Sequence, residues 1–404
     1  MKFYTYWLCA LAMFSQSAYP GASSQIWFFS PKGVQVTEGD VINQCTAERP
    51  CRELTQDFVN NLNNFLTLNQ LKGKLWLATG VYDLPANPKQ NQAPMLDLYR
   101  RISIAGRTPD FKHIAYNDER PLINGTLSWN DYSHHGGTEG SVRNIRMHTN
   151  ENPIQVENTF VNANIHSTGN LEVINSALQK TTVQNGENIH ANFIRLIDST
   201  LSSTGENAVN IASQEGLYSV NSRLRVRGFG THNLQIAKGS VDVYKSDLET
   251  DADSCPLAMN FTSAIEAESS IDLNLASSHI VMNSTVKCPL GSMTAIVAPA
   301  SPYISILDSS ILLKSIDEDV TAIENSYFSV KLTNSKINIE SSNGKAYAFR
   351  NYHTTLAFTG KPSTIHVSSP ILATLYLAPE IIRVSNQSTP LSQCKINKES
   401  SVDC

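Results

Sequence analysis

The chain has 404 residues, 17% of them charged, and a net charge of −5 at pH 7. That balance excludes the basic footprint of a nucleic-acid-binding protein, so no nucleic-acid partner is expected. Hydrophobic residues, at 41%, suffice for a core, and many Ser, Thr and Asn with few strong helix formers favour strands and turns.

In chain order, Met1-Lys2 precedes an uncharged run from Phe3 to Phe14, followed by the small residues Ser15, Ser17, Ala18 and Ala22. The run is too short to cross a bilayer and reads as a signal peptide over about residues 1–22. No later segment is apolar enough to span a membrane, so a secreted or periplasmic protein is expected. Cys9 falls within the signal. The remaining Cys45, Cys51, Cys255, Cys288, Cys394 and Cys404 form an even set that implies disulfides. Their three sequence neighbourhoods make 45–51, 255–288 and 394–404 the natural pairs.

Leu54, Phe58, Val59, Leu62, Phe65 and Leu66 recur at helical spacing and stop near Gly73. This helix, within an N-terminal segment 23–90, is placed to cap the open N-terminal end of a solenoid. Lys74 to Asp83 reads as a strand and tight turn, and Arg101–Gly106 and Pro121–Gly125 as first coils. Between about 126 and 165 no register emerges.

From residue 171 a repeat takes over. Leu171–Leu178, Ile194–Leu201, Leu217–Leu224, Val241–Leu248, Leu273–Ile280, Ile304–Ile311 and Val330–Ile337 each fit apolar-x-apolar-x-x-Ser-x-apolar, with Ser219 the one lapse. The marker serines are 176, 199, 222, 246, 278, 309 and 335. Spacing that starts in the low twenties, with period-two alternation, predicts a right-handed parallel β-helix over 91–385, followed by a tail over 386–404. A second strand per coil is expected at Ala208–Ile211, Leu234–Ile236, Ala258–Phe261, Ala295–Val297 and Ala322–Ile323, with Ala348–Phe349 as a further one. Asn175, Asp198, Asn221, Lys245, Ser277, Asp308 and Asn334, each just before a marker, read as corners.

Ser30–Gly33, Cys45-Thr46, Pro50–Arg52, the helix, and Leu77–Tyr82 together resemble the N-terminal region of secreted pectin-lyase-like β-helix proteins. The resemblance covers roughly residues 26–125 by motif. It implies the fold and an exported location, in a group that holds lyases, glycosidases, esterases, epimerases and non-catalytic surface proteins.

Two long coils carry Cys255-Pro-Leu257 and Cys288-Pro-Leu290, and beside them lies the densest charge. Arg223, Arg225 and Arg227 alternate with Leu224 and Val226, while Asp247, Glu249, Asp251 and Asp253 alternate one coil on. Stacking sets Arg223 beside Asp247, Arg225 beside Glu249 and Arg227 beside Asp251. The plain reading is a surface ion-pair ladder. The sharper one is a pectate-lyase-like site: Arg225 as base, Asp247, Glu249 and Asp251 as calcium ligands, and Arg223, Arg227, Tyr218 and His232 as substrate contacts. Gly228–His232 fails as a polygalacturonase-like motif. His134-His135 reads as a loop, and Trp129 and Tyr132 as either packing or sugar-stacking residues.

The expected protein is a monomeric exported β-helix that engages polysaccharide or a cell-surface glycan along one outward sheet, with lyase or hydrolase chemistry if any. The competing expectation is a non-enzymatic adhesin or structural solenoid.

Overall fold

Each coil turns where the sequence places its marker serine. Asn175, Asp198, Asn221, Lys245, Ser277, Asp308 and Asn334 all take left-handed backbone angles, with φ from 46° to 51°. Asn and Asp tolerate this conformation because their short polar side chains bond locally. Lys245 and Ser277 adopt it within the same frame, their N–H groups donating to Ala276 O at 3.0 Å and Leu307 O at 2.9 Å in the next coil.

The serine after each corner then ties one coil to the next. The Ser199 N–H donates to Ser222 Oγ at 3.2 Å, and the Ser222 hydroxyl donates to Val220 O at 2.9 Å. The same N–H to Oγ step joins Ser176 to Ser199, Ser222 to Ser246, Ser246 to Ser278, Ser278 to Ser309, Ser309 to Ser335, and Ser335 to Ser363. A hydroxyl that both donates and accepts, on the smallest side chain that carries one, satisfies two buried backbone groups per turn. That is why serine recurs.

The computed structural model describes residues 24–35, 45–69, 71–84, 94–99, 102–130, 139–149, 154–156, 159–253, 261–286, 291–325, 329–351, 355–358, 363–377, 395–396 and 402–403. Its strands pair in parallel from coil to coil and lie on three faces, making a parallel β-helix. Sheet A holds the strands before the serine corner, such as Asn170–Ile174, Gly239–Tyr244 and Ile271–Ala276. Sheet B holds those after it, such as Arg223–Arg227, Asp247–Ala252 and His279–Ser284. Sheet C closes the coil with strands such as Ala163–Ser167, His232–Ile236 and Phe261–Ala267. The segments Ala177–Ile197 and Thr200–Val220 run through two corners without a break, so one long strand serves all three faces.

Inside, apolar rows are fully buried, with Leu196, Leu217, Val241 and Leu273 among them at 0% exposure. A polar row runs through the same interior. Asn164 donates to Asn188 at 2.5 Å, Asn188 to Asn210 at 2.9 Å, and Asn210 to Asn233 at 2.7 Å, all buried. Stacked amides satisfy one another because each side chain carries both a donor and an acceptor.

Several expectations shift. Parallel stacking starts ahead of residue 91, since Ser24–Val34 already pairs with Lys72–Ala78, and that strand with Ile102–Arg107. In the coil after His232–Ile236, Ser263 and Ile265 pair with His232 and Leu234; of the expected Ala258–Phe261, Phe261 opens the strand Phe261–Ala267 and residues 258–260 lie outside the described residues. The stretch 126–165 does hold a coil, with strands Thr126–Asn130, Glu139–Arg143 and Arg146–Thr149, but Ile145 occupies its marker position.

The helix Gln56–Leu68 forms as expected, N-capped by Thr55, whose side chain accepts from the Phe58 N–H at 3.2 Å. It buries Phe58, Val59, Leu62 and Leu66, and Phe58 meets Phe29 edge to face at 5.1 Å. The Cys45–Cys51 disulfide is present beside it. Cys255, Cys288, Cys394, Cys404, Tyr132, His134, His135 and residues 1–22 lie outside the described residues. Near the other end, Val402–Asp403 pairs antiparallel with Thr364–Ile365. Among the described residues no helix is long and apolar enough to cross a membrane.

Candidate functional site

Sheet B carries the charged rows. Alternation turns Leu224 and Val226 inward, and leaves Arg223, Arg225 and Arg227 outward and 52–58% exposed. The register is the one expected, with Arg223 opposite Asp247, Arg225 opposite Glu249 and Arg227 opposite Asp251. The ion pairs are nevertheless offset by two residues. Arg223 bonds Glu249 at 2.5 Å, Arg225 bonds Asp251 at 2.7 Å, and Arg227 bonds Asp253 at 2.6 Å. A long guanidinium leaning along its strand overshoots the residue directly opposite and meets the next outward one. Asp247 is left outside these three pairs.

This geometry bears on the lyase reading. The hydrogen bond and charge of Asp251 hold the Arg225 guanidinium above its ordinary pKa, with Glu249 adding to the effect. A general base needs its proton held less firmly, so the pairing works against proton abstraction by Arg225. Asp247, Glu249 and Asp251 step along one strand, about 7 Å apart at every second residue. Among the described residues no group of three His, Cys, Asp or Glu side chains gathers closely enough to hold a metal ion.

Tyr218 and His232 do not share this face. Tyr218 lies on sheet A, between Arg195 and Asp242 in register. His232 lies on sheet C and is 7% exposed, its Nδ1 2.8 Å from Ser263 Oγ and 3.3 Å from Glu266 Oε2. The serine corner separates the arginine strand from the first, and the Gly228–Thr231 turn separates it from the second. Gly228 is required there: its φ is 139°, and a Cβ would lie 2.1 Å from Gly205 O. Because Ser263 and Glu266 approach the same nitrogen, the trio lacks the relay of a Ser-His-acid triad, in which each partner takes a different ring nitrogen. Trp129 is fully buried, its Nε1 donating to Ile102 O at 3.0 Å, so it packs in the core.

Sheet C presents polar residues that the repeat pattern did not reveal. His166 stacks on His190, ring centroids 5.2 Å apart and planes 30° apart, and His190 Nδ1 lies 2.8 Å from Glu187 Oε2. Burial, reinforced by His190, pushes His166 down to about 4, while Glu187 raises His190. Two coils further on, Gln235 donates to Glu266 at 3.0 Å beside His232. Sheet A has its own ion pairs, with Glu172 bonded to Arg195 at 2.8 Å and to Arg143. One signal was in the sequence: His166 and His190 stand one coil apart, as do the buried asparagines.

No family model, curated protein or solved structure matches the chain.

Proposed function

We propose that this protein is an exported β-helix that binds polysaccharide along the outward face of sheet B. The observation that carries the reading is the row of half-exposed guanidinium–carboxylate pairs Arg223–Glu249, Arg225–Asp251 and Arg227–Asp253. Each guanidinium has about five N–H donors and commits only some of them to its carboxylate. The face therefore offers fixed donors beside fixed acceptors, at strand spacing and with little net charge. Side chains already locked by their pairs lose little freedom when a sugar chain docks, which favours binding. Solenoids lend themselves to this role because stacked coils make long, regular surfaces.

The reading assigns binding rather than cleavage to this face, since a firmly protonated Arg225 is a poor base. Export rests on the N-terminal apolar run, on the Cys45–Cys51 disulfide and on the resemblance of residues 26–125 to pectin-lyase-like proteins. The experiment is affinity electrophoresis of the mature protein through gels containing acidic or neutral polysaccharides, with parallel assays for reducing ends and unsaturated uronate. Retardation without product supports the reading. Turnover dependent on calcium would replace it with a lyase, and free migration in every gel would remove it.

A further inference from the structure

Sheet A carries an apolar row on its outer surface, where a solvated sheet sets polar residues. Ile174, Ile197, Val220, Tyr244, Ala276 and Leu307 follow one another in register on successive coils. Alternation turns them outward, because the residues just before them, such as Val173, Leu196 and Ile306, are buried in the core. Tyr244 and Leu307 are 36% and 38% exposed, and the other four are half-buried. The next outward row on the same strands, from Glu172 to Ser305, is polar. Strands about 4.8 Å apart make the apolar row about 24 Å long. A contiguous apolar patch with a polar rim marks an interaction surface.

The charges beside the row point to its occupant. One coil before Val220 stand Arg195 and, at the corner, Asp198; one coil after it stand Asp242 and, at the corner, Lys245. Arg195 and Asp242 hold the same position along their strands, as do Asp198 and Lys245, so both signs reverse about the Val220 coil. Arg195 is 50% exposed, Asp198 and Lys245 are exposed, and Asp242 is half-buried. Within one copy these opposite charges are two coils apart, about 10 Å at the backbone, and Arg195 bonds Glu172 instead. A second copy laid face to face and antiparallel, with its two-fold axis along Gly216–Val220, changes this. Arg195 then stands opposite the second copy's Asp242 and Asp198 opposite its Lys245, and symmetry makes both contacts twice. The apolar rows meet in the same arrangement, with Val220 on Val220 and Ile197 on Tyr244.

We propose that this face of sheet A is a self-association surface, on which two copies of the chain pair antiparallel about the Val220 coil. A partner must match both the strand period and the reversed charge order, and a second copy has both. Three outward positions per strand make the face about 15–20 Å wide, so pairing over these coils buries roughly 1,000 Å² in total, the size at which specific interfaces begin. The proposal replaces the monomer expected from the sequence. The arginine row lies on another face, sheet B, and takes no part in it.

The test is sedimentation equilibrium of the full-length mature protein from about 1 to 200 µM, where an interface of this size should give a dimer with a Kd of roughly 1–100 µM. Arg195→Asp and Asp242→Arg each set like charges against each other in both contacts and should each weaken the dimer at least tenfold. An equimolar mixture of the two variants should restore it, because each copy then supplies the charge the other has reversed. Both positions face outward, so melting temperatures should fall only slightly. Asp198→Lys and Lys245→Asp repeat the test at the corner, should either of the first two variants fail to fold. A monomer at every concentration overturns the proposal and leaves the row to a different partner. A dimer that the single reversals leave intact uses another surface and overturns it equally, as does a mixture that stays monomeric.

Discussion

Arg225 reaches past Glu249, the residue opposite it in the next coil, and bonds Asp251 instead: Nη2 lies 2.7 Å from Asp251 Oδ2, whereas its Nε is 3.8 Å from Glu249 Oε2. The offset recurs at Arg223 and Arg227, so the three guanidinium groups lie side by side in one direction. That alignment sets the three guanidinium–carboxylate pairs in one row across sheet B, and the proposed docking of an extended chain rests on it.

Because Arg225 is 52% exposed, its pairing contributes little to folding. Exposed ion pairs are worth about 0.2–1 kcal/mol. Arg225→Ala should therefore lower stability by less than about 1 kcal/mol in urea unfolding while weakening polysaccharide retention severalfold. A large stability loss with unchanged retention would make the row a stacking device.

The serine ladder predicts the opposite balance. Ser222→Ala leaves the buried Ser199 N–H without its acceptor and deletes the bond to Val220 O. An unpaired buried N–H costs about 1–3 kcal/mol, which urea unfolding would register with no effect on sugar binding. Ser222→Thr keeps the oxygen and should recover much of the loss, unless its methyl group clashes in the corner.

Glu318 sets a pH dependence. It is 0% exposed, and its carboxyl oxygens and the nearby Ser284 hydroxyl form no well-aligned hydrogen bond. Burial, followed by Asp317, pushes it up to about 7, with Ser284 offsetting only in part. A carboxyl with a raised folded pKa binds more protons folded than unfolded, so stability falls as pH rises from its ordinary range to about 7, then levels. The shift corresponds to roughly 3 kcal/mol. Glu318→Gln should flatten this slope in thermal melts across that window, and an unchanged slope would refute the assignment.

His166 slopes the other way. With its folded pKa pushed down to about 4, the folded state binds fewer protons than the unfolded one between there and the ordinary histidine value. Its contribution to stability is complete above about 6.5 and is lost as pH falls toward 4. Histidine-resolved NMR titration should show His166 protonating well below His190. Equal midpoints for the two rings would contradict the stacked geometry, in which His166 is buried and His190 is paired with Glu187.

The corners and core of sheets A and B were legible because each coil repeats two strict requirements. A left-handed residue must precede a small hydroxyl, as at Asn221-Ser222, and apolar residues must alternate, as at Leu224 and Val226. Sheet C hides its pattern because neighbouring residues are both buried, as at Asn210 and Ile211 or Ala264 and Ile265, so period two fails. That break left His166, Glu187 and His190 unread. Backbone register was predictable for the charged rows, but which carboxylate each arginine meets depends on side-chain length and lean, which spacing does not encode.

The most direct test of the central claim is titration of a polysaccharide retained in the gel assay against the wild type and Arg223→Gln/Arg225→Gln/Arg227→Gln, with melting temperatures recorded for both. The account predicts at least a tenfold loss of affinity, about 1.4 kcal/mol, with a melting temperature only slightly lowered. Equal affinity in a folded triple variant would contradict it and move polysaccharide recognition off sheet B.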